Sequence, residues 1–214
     1  MKKISAFVLA AATLAPSFAF AHEAGDFIFR TGTATVRPNT GSDNVLGVGS
    51  LSADNNTQMG LTFSYMITDN IGFELLAGTP FQHRVSLPGG VGDIAKVKHL
   101  PPTLMAQYYF GSKESSFRPY VGVGLNYTTF FNEKFNGNSA VKDNNLHSLD
   151  LKDSWGVAGQ VGLDYELDQN WMLNASVWWV NIETDVKFKA GDQQYKIDTR
   201  LDPWVFMFGV GYHF

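Results

Sequence analysis

The chain has 214 residues, a formal net charge of −4 and no cysteine. An acidic balance argues against a nucleic-acid partner, which would call for a basic surface, and the missing cysteines exclude a disulfide framework. Beyond residue 21 no run of 18 apolar residues occurs, which excludes membrane-spanning helices although 44% of the residues are hydrophobic and 14% aromatic.

Residues 1–21 read as an export signal. Lys2 and Lys3 form a basic start, Ile4 to Leu14 a short apolar stretch, and Ala19-Phe20-Ala21 a small-x-small cleavage site. The apolar stretch is too short to span a bilayer as a helix. Cleavage between Ala21 and His22 is expected to leave residues 22–214 as one domain, with 14 basic and 20 acidic residues.

Eight strands follow, at roughly 26–37, 57–67, 71–85, 97–110, 117–131, 154–167, 170–188 and 194–214. A strand sends successive side chains to opposite faces. From Ser154 to Tyr165 one face collects Trp155, Val157, Val161, Leu163 and Tyr165, and the other Ser154, Gly156, Ala158, Gln160, Gly162 and Asp164. The stretches 117–131 and 58–67 repeat the scheme. The last strand sets Trp204, Phe206, Phe208, Val210, Tyr212 and Phe214 against Val205, Met207, Gly209, Gly211 and His213.

Connections alternate between short (68–70, 111–116, 167–170) and long (38–56, 86–96, 132–153), with 190–193 a short exception among the long set. A soluble β-sandwich or lipocalin-like barrel would also alternate, burying the apolar face. Here the polar face is rich in small residues, and aromatics (Trp155, Tyr165, Trp171, Trp204, Tyr212) gather near strand ends, as in a girdle facing lipid. The expected fold is an all-β, eight-stranded antiparallel transmembrane β-barrel with short periplasmic turns and longer extracellular loops, placed in the bacterial outer membrane among its lipids. Phe214, Tyr212 and Val210 resemble the C-terminal signal of proteins delivered to the outer-membrane assembly machinery.

Eight strands leave a lumen that side chains fill or that holds one small ligand, too narrow for a general porin. Alternation places Gly72, Glu74, Leu76 and Gly78 on one inward row, and Met172, Asn174, Ser176, Trp178 and Val180 on another. Leu76, Trp178 and Met172 are apolar for a pore. They fit an apolar channel constriction and a plugged barrel equally well.

Pro101-Pro102 is a sharper feature, because proline offers no N–H to its neighbours. If Ile71 pairs near Phe110, Pro80 lies opposite Pro101. The three prolines then fit either a lateral opening in the wall or strands splaying above the membrane, where water satisfies the carbonyls.

Other chemistry is weakly signalled. His83 and His99, with Asp93 between them, lack a firm third metal ligand and are expected on an exposed rim. His147-Ser148 has no triad, and GxSxG, HExxH and P-loop patterns are missing, so neither an enzyme nor a cofactor is expected. Asp43, Asp54, Asp143, Asp150 and Asp153 are expected on a solvated rim.

Several stretches carry a family resemblance. They are His22-Glu23-Ala24-Gly25, Thr35-Val36-Arg37-Pro38, Thr68-Asp69-Asn70-Ile71-Gly72, Glu74-Leu75-Leu76-Ala77 and His99-Leu100-Pro101-Pro102-Thr103. Further on come Phe117-Arg118-Pro119-Tyr120-Val121-Gly122, Asn126-Tyr127-Thr128-Thr129-Phe130-Phe131, Asp153-Ser154-Trp155-Gly156 and Leu201-Asp202-Pro203-Trp204. Over essentially all of residues 22–214 the chain resembles the OmpW family of small outer-membrane proteins, which includes the OprG-type proteins. The resemblance implies an eight-stranded barrel passing small hydrophobic molecules across the outer membrane. More loosely, it implies a receptor for bacteriocins. A structural or adhesion barrel that binds partners through its extracellular loops is the alternative.

Overall fold

The computed structural model describes residues 22–45 and 47–214. The expected export signal, with its cleavage point at Ala21, lies outside the described residues. In chain order the elements are β1 (Phe27–Arg37), β2 (Gly41–Ser42), β3 (Ser52–Ala53), β4 (Asn56–Met66) and β5 (Ile71–Gly78). Then come β6 (Phe81–Leu87), β7 (Gly92–Leu100), β8 (Thr103–Tyr109), β9 (Phe117–Phe135) and a short helix α1 (Ser139–Asp143). The chain continues through β10 (Leu146–Leu151), β11 (Ser154–Glu166), β12 (Trp171–Val180), β13 (Glu183–Ala190), β14 (Gln193–Arg200) and β15 (Trp204–His213).

Eight of these close into a barrel. Each of β1, β4, β5, β8, β9, β11, β12 and β15 pairs antiparallel with the next, and β15 returns to β1. Closure leaves no free sheet edge, so within the eight ladders the backbone groups facing hydrocarbon find partners in the wall. Where β1 meets β15, Gly32 stands opposite Gly209. A Cβ at position 32 would lie 2.1 Å from the Phe208 carbonyl oxygen, so only glycine allows this approach.

The outer surface is apolar. Phe63, Leu75, Leu104, Val123, Leu125, Val157, Val161 and Phe208 are exposed, while their inward neighbours are buried or half-buried. Tyr65, Tyr108, Tyr165 and Trp171 ring one end of this belt, and Trp155 and Trp204 ring the other. From Trp155 to Tyr165 the strand rises about 33 Å. At a tilt near 45° that is about 23 Å of height, close to the thickness of an outer-membrane hydrocarbon band.

Short turns close the end near Tyr65 and Trp171, which makes it the periplasmic end. At the other end the strands extend beyond the belt, and segments expected as plain loops carry structure. Two flaps result. One joins the β6–β7 hairpin to β3 and to the upper end of β9. The other joins the β13–β14 hairpin to β10 and β2. The long strands expected at 71–85, 97–110, 170–188 and 194–214 are therefore each interrupted at the foot of a flap. Proline at 80, 101, 102 and 203 lies in three of these interruptions.

Candidate functional site

The site is the barrel interior, taken from the outside inward. The two flaps face each other across apolar side chains, among them Val45, Ile94, Leu146, Val186, Phe188 and Ile197. Each flap strand presents every second side chain inward, so two short sheets together make a dry core. The Phe135 and Phe188 rings meet across it at 6.1 Å.

Three apolar cavities are stacked from within this core downward. The uppermost, about 60 Å³, lies among Leu51, Val85, Val97, Leu149, Leu151 and Leu201. The middle one, about 40 Å³, shares Val85, Val97, Leu151 and Leu201 with it and adds Val36, His83, His99 and Phe130. The lowest, about 20 Å³, shares Val36 and His99 with the middle one and reaches Leu76, Ala77, Phe81, Pro101 and Val205. Together they have room for a small molecule of a few heavy atoms.

His83 and His99 are not on an exposed rim. Both are buried, and their Nε2 atoms lie 3.0 Å apart. Flap packing encloses them. Burial holds His99 down to about 3, helped by the neighbouring His83, which burial lowers too. Among the described residues no group of three or more histidine or acidic side chains is placed to hold a metal ion.

Leu76, Met105, Trp178 and Met207 form the floor of the cavities. Two of the three residues expected at a constriction, Leu76 and Trp178, are thus together. Met172 is not with them. It sits near the periplasmic end with Ile28, Met66, Tyr109 and Tyr120. Six positions separate it from Trp178 on one inward row, which is about 20 Å of strand.

Between these apolar layers lies a polar plug whose central member, Arg30, was missed from sequence. Its Nη1 donates to Glu74 Oε2 (3.1 Å) and Ser64 Oγ (2.9 Å), its Nε to Asp164 Oδ1 (3.1 Å) and its Nη2 to the Tyr109 hydroxyl (2.9 Å). Gln160 links Glu74 (2.8 Å) to Gln107 (2.9 Å), and Asn174 donates to Asp164 (2.8 Å) and Tyr120 (2.9 Å). Below them His22 Nε2 donates to Asp164 Oδ2 (2.9 Å). A Cβ on Gly162 would lie 2.2 Å from the Tyr120 ring, so glycine there lets the tyrosine cross the lumen. The signal was available: Arg30, Glu74 and Asp164 all have inward parity, and charges in a narrow lumen must neutralise one another.

The wall has two kinds of break at the foot of the flaps. Between β12 and β15 the break is stitched. Asp202 Oδ1 accepts from the Ile182 amide (3.2 Å) and Asn181 Nδ2 (3.1 Å), Val180 N donates to Pro203 O (3.1 Å), and Leu201 N to Ile182 O (2.9 Å). Between β5 and β8 pairing stops at Leu76–Thr103 and resumes only at Phe81–His99.

Pro101 lines the lowest cavity, whereas Pro80 and Pro102 are exposed beside it. Consecutive residues of a strand aim their N–H groups at opposite neighbours, so the proline pair withholds one donor from each side. On the β9 side the carbonyls compensate, as Tyr127 N donates to Pro102 O (3.0 Å) and Asn126 Nδ2 to Pro101 O (3.2 Å). The expected register was displaced by two: Ile71 pairs with Tyr108, not near Phe110, so Pro80 is not opposite Pro101. An even displacement preserves the faces.

Comparison with known proteins places these features. The OmpW family model matches residues 23–214. Outer membrane protein W of Escherichia coli (strain K12) is 56% identical over 215 residues, covering all of both chains. The crystal structure of the outer membrane protein OprG from Pseudomonas aeruginosa superposes with a TM-score of 0.84 at 43% identity, covering 92% of this chain and 99% of that one. Outer membrane protein AlkL of Ectopseudomonas oleovorans is 31% identical over 99% of this chain and 94% of its own.

Proposed function

Because the chain belongs to the OmpW family of outer-membrane barrels, we propose that it passes small apolar molecules inward from outside the cell and releases them sideways through the wall. The observation that carries this reading is the course of the apolar cavities. They run down from the flaps, stop above the polar plug, and touch Ala77 and Pro101 at the one unstitched break between neighbouring barrel strands among the described residues. Ala77 has the outward parity of exposed Phe73 and Leu75, yet it lines the same cavity as inward Leu76. The lowest cavity thus borders the wall at this break, which supports a sideways exit there. An apolar solute leaving there enters hydrocarbon directly, where its transfer is favourable by about 25 cal/mol per Å², and never crosses the charged plug.

The chemistry needed is modest. The flaps replace water around the solute, the floor of Leu76, Met105, Trp178 and Met207 turns it aside, and the seam offers the exit. Replacing Pro80, Pro101 and Pro102 with threonine supplies strand-competent donors. In intact cells producing the barrel, this triple variant should slow alkane uptake several-fold while its circular dichroism stays that of a β-barrel. Unchanged uptake by a folded variant would remove the lateral route.

A further inference from the structure

One cation on the outside of the barrel wall stands without a counter-charge. Arg37 is the last residue of β1, exposed on the outward face that it shares with Thr33 and Thr35. It pairs with Trp204, a member of the aromatic ring at the outer edge of the belt. The guanidinium is therefore at the height of the outer leaflet's headgroups. It lies over the Phe206 ring, 5.9 Å from the ring centre, which steadies it against the wall. Arg30 and Arg84 each hold a carboxylate, whereas Arg37 holds none among the described residues.

An open cleft of about 450 Å³ surrounds this charge, lined by Arg37, Pro38, Asn39, Trp204 and Phe206 and by no acidic side chain. Pro38 cannot extend the ladder, so the chain leaves the wall there and forms one lip of the cleft. Three donor groups belong to the lining: the guanidinium, the Asn39 side-chain amide and the Trp204 indole N–H. None of them has a hydrogen-bond partner among the described residues. From the cleft the outward row of β15 runs down into the belt through Phe206 and exposed Phe208. We infer that the cleft binds the phosphate of an outer-leaflet lipid. Arg37 matches two phosphate oxygens with two parallel N–H groups, and the acyl chain lies against Phe206 and Phe208. A water-soluble anion would use only the upper part of this surface. The cleft is on the outside of the wall, so this inference stands apart from the transport reading.

The test uses the full barrel in a non-ionic detergent with ¹⁵N-labelled tryptophan. It is titrated separately with dilauroyl phosphatidic acid, with dilauroyl glycerol, which has the same chains and no phosphate, and with inorganic phosphate. Native mass spectrometry gives the affinities, and the Trp204 indole resonance gives the place. The expected result is phosphatidic acid bound about tenfold more tightly than dilauroyl glycerol, with the Trp204 resonance moving for the phospholipid. Arg37→Gln should lose the preference and Arg37→Lys should keep part of it, both with the circular dichroism of a β-barrel. Equal affinity for the two lipids on the unaltered barrel would overturn the phosphate contact, and so would a preference that survives Arg37→Gln. Inorganic phosphate bound as tightly as phosphatidic acid would overturn the lipid as the occupant.

Discussion

Trp178 shows how much one side chain can close. It is fully buried in the cavity floor, and its indole N–H has no partner. Trp178→Phe therefore breaks no hydrogen bond and keeps most of the volume, whereas Trp178→Ala leaves a void costing about 3–5 kcal/mol. Urea unfolding in micelles should rank Trp178→Ala far below Trp178→Phe, and near-equal stabilities would mean that this layer packs loosely. At this scale the sequence was readable in part. Parity alone put Leu76, Trp178 and Met172 inward, because a period of two is a strong signal. Parity gives the face and not the height, which is why Met172 was grouped with residues far above it. The burial of His83 and His99 was illegible, since it depends on two flaps meeting rather than on either strand.

At the scale of the element, the flaps carry their own pH response. His99 sits near 3 in the folded flap against an ordinary 6.5, lowered by burial and by His83, so the unfolded flap takes up a proton that the folded one refuses. The associated stability is complete above about 6.5 and drains away as pH falls toward about 3. Asp54, whose carboxylate lies 3.9 Å from His83 Nδ1, offsets part of the loss. Amide exchange in β6 and β7 should accelerate across this window, and His99→Phe should flatten the response; an unchanged exchange rate would show that the pair does not hold the flap. The interruptions at Pro80 and Pro101-Pro102 had a signal, a donor missing by covalent structure, although the strands were expected to run through them. The break at 181–182 and 201–203 was not anticipated. There Asp202, at a φ of +30°, and Asn181 stitch the chain with side chains that read as ordinary turn residues.

For the whole molecule, the strand count and the lipid-facing surface were visible in alternation and turn spacing. The outer sandwich was not, because β2, β3, β10 and α1 are too short to announce themselves and are held by packing against the flaps. The complete barrel combines an apolar outer half with a charged, tied inner half. In planar bilayers it should pass little ion current, and the triple variant Arg30→Ala, Glu74→Ala, Asp164→Ala, which empties the plug while removing its charges together, should pass more. A large steady current through the native barrel would contradict a closed inner half.

Arg30 also bears on how such a wall can be assembled. Its partners come from β4, β5, β8 and β11, while Arg30 itself is on the first strand of the circle. A growing sheet that has not yet curled round keeps Arg30 near Glu74, two strands away, but holds Asp164 apart from that guanidinium, and a carboxylate without its partner is strongly disfavoured in hydrocarbon. Insertion and curling are thereby tied together: Asp164 on β11, the sixth strand of the circle, is comfortable within the bilayer only when the first strand has come round to meet it, so a half-finished cylinder is disfavoured there.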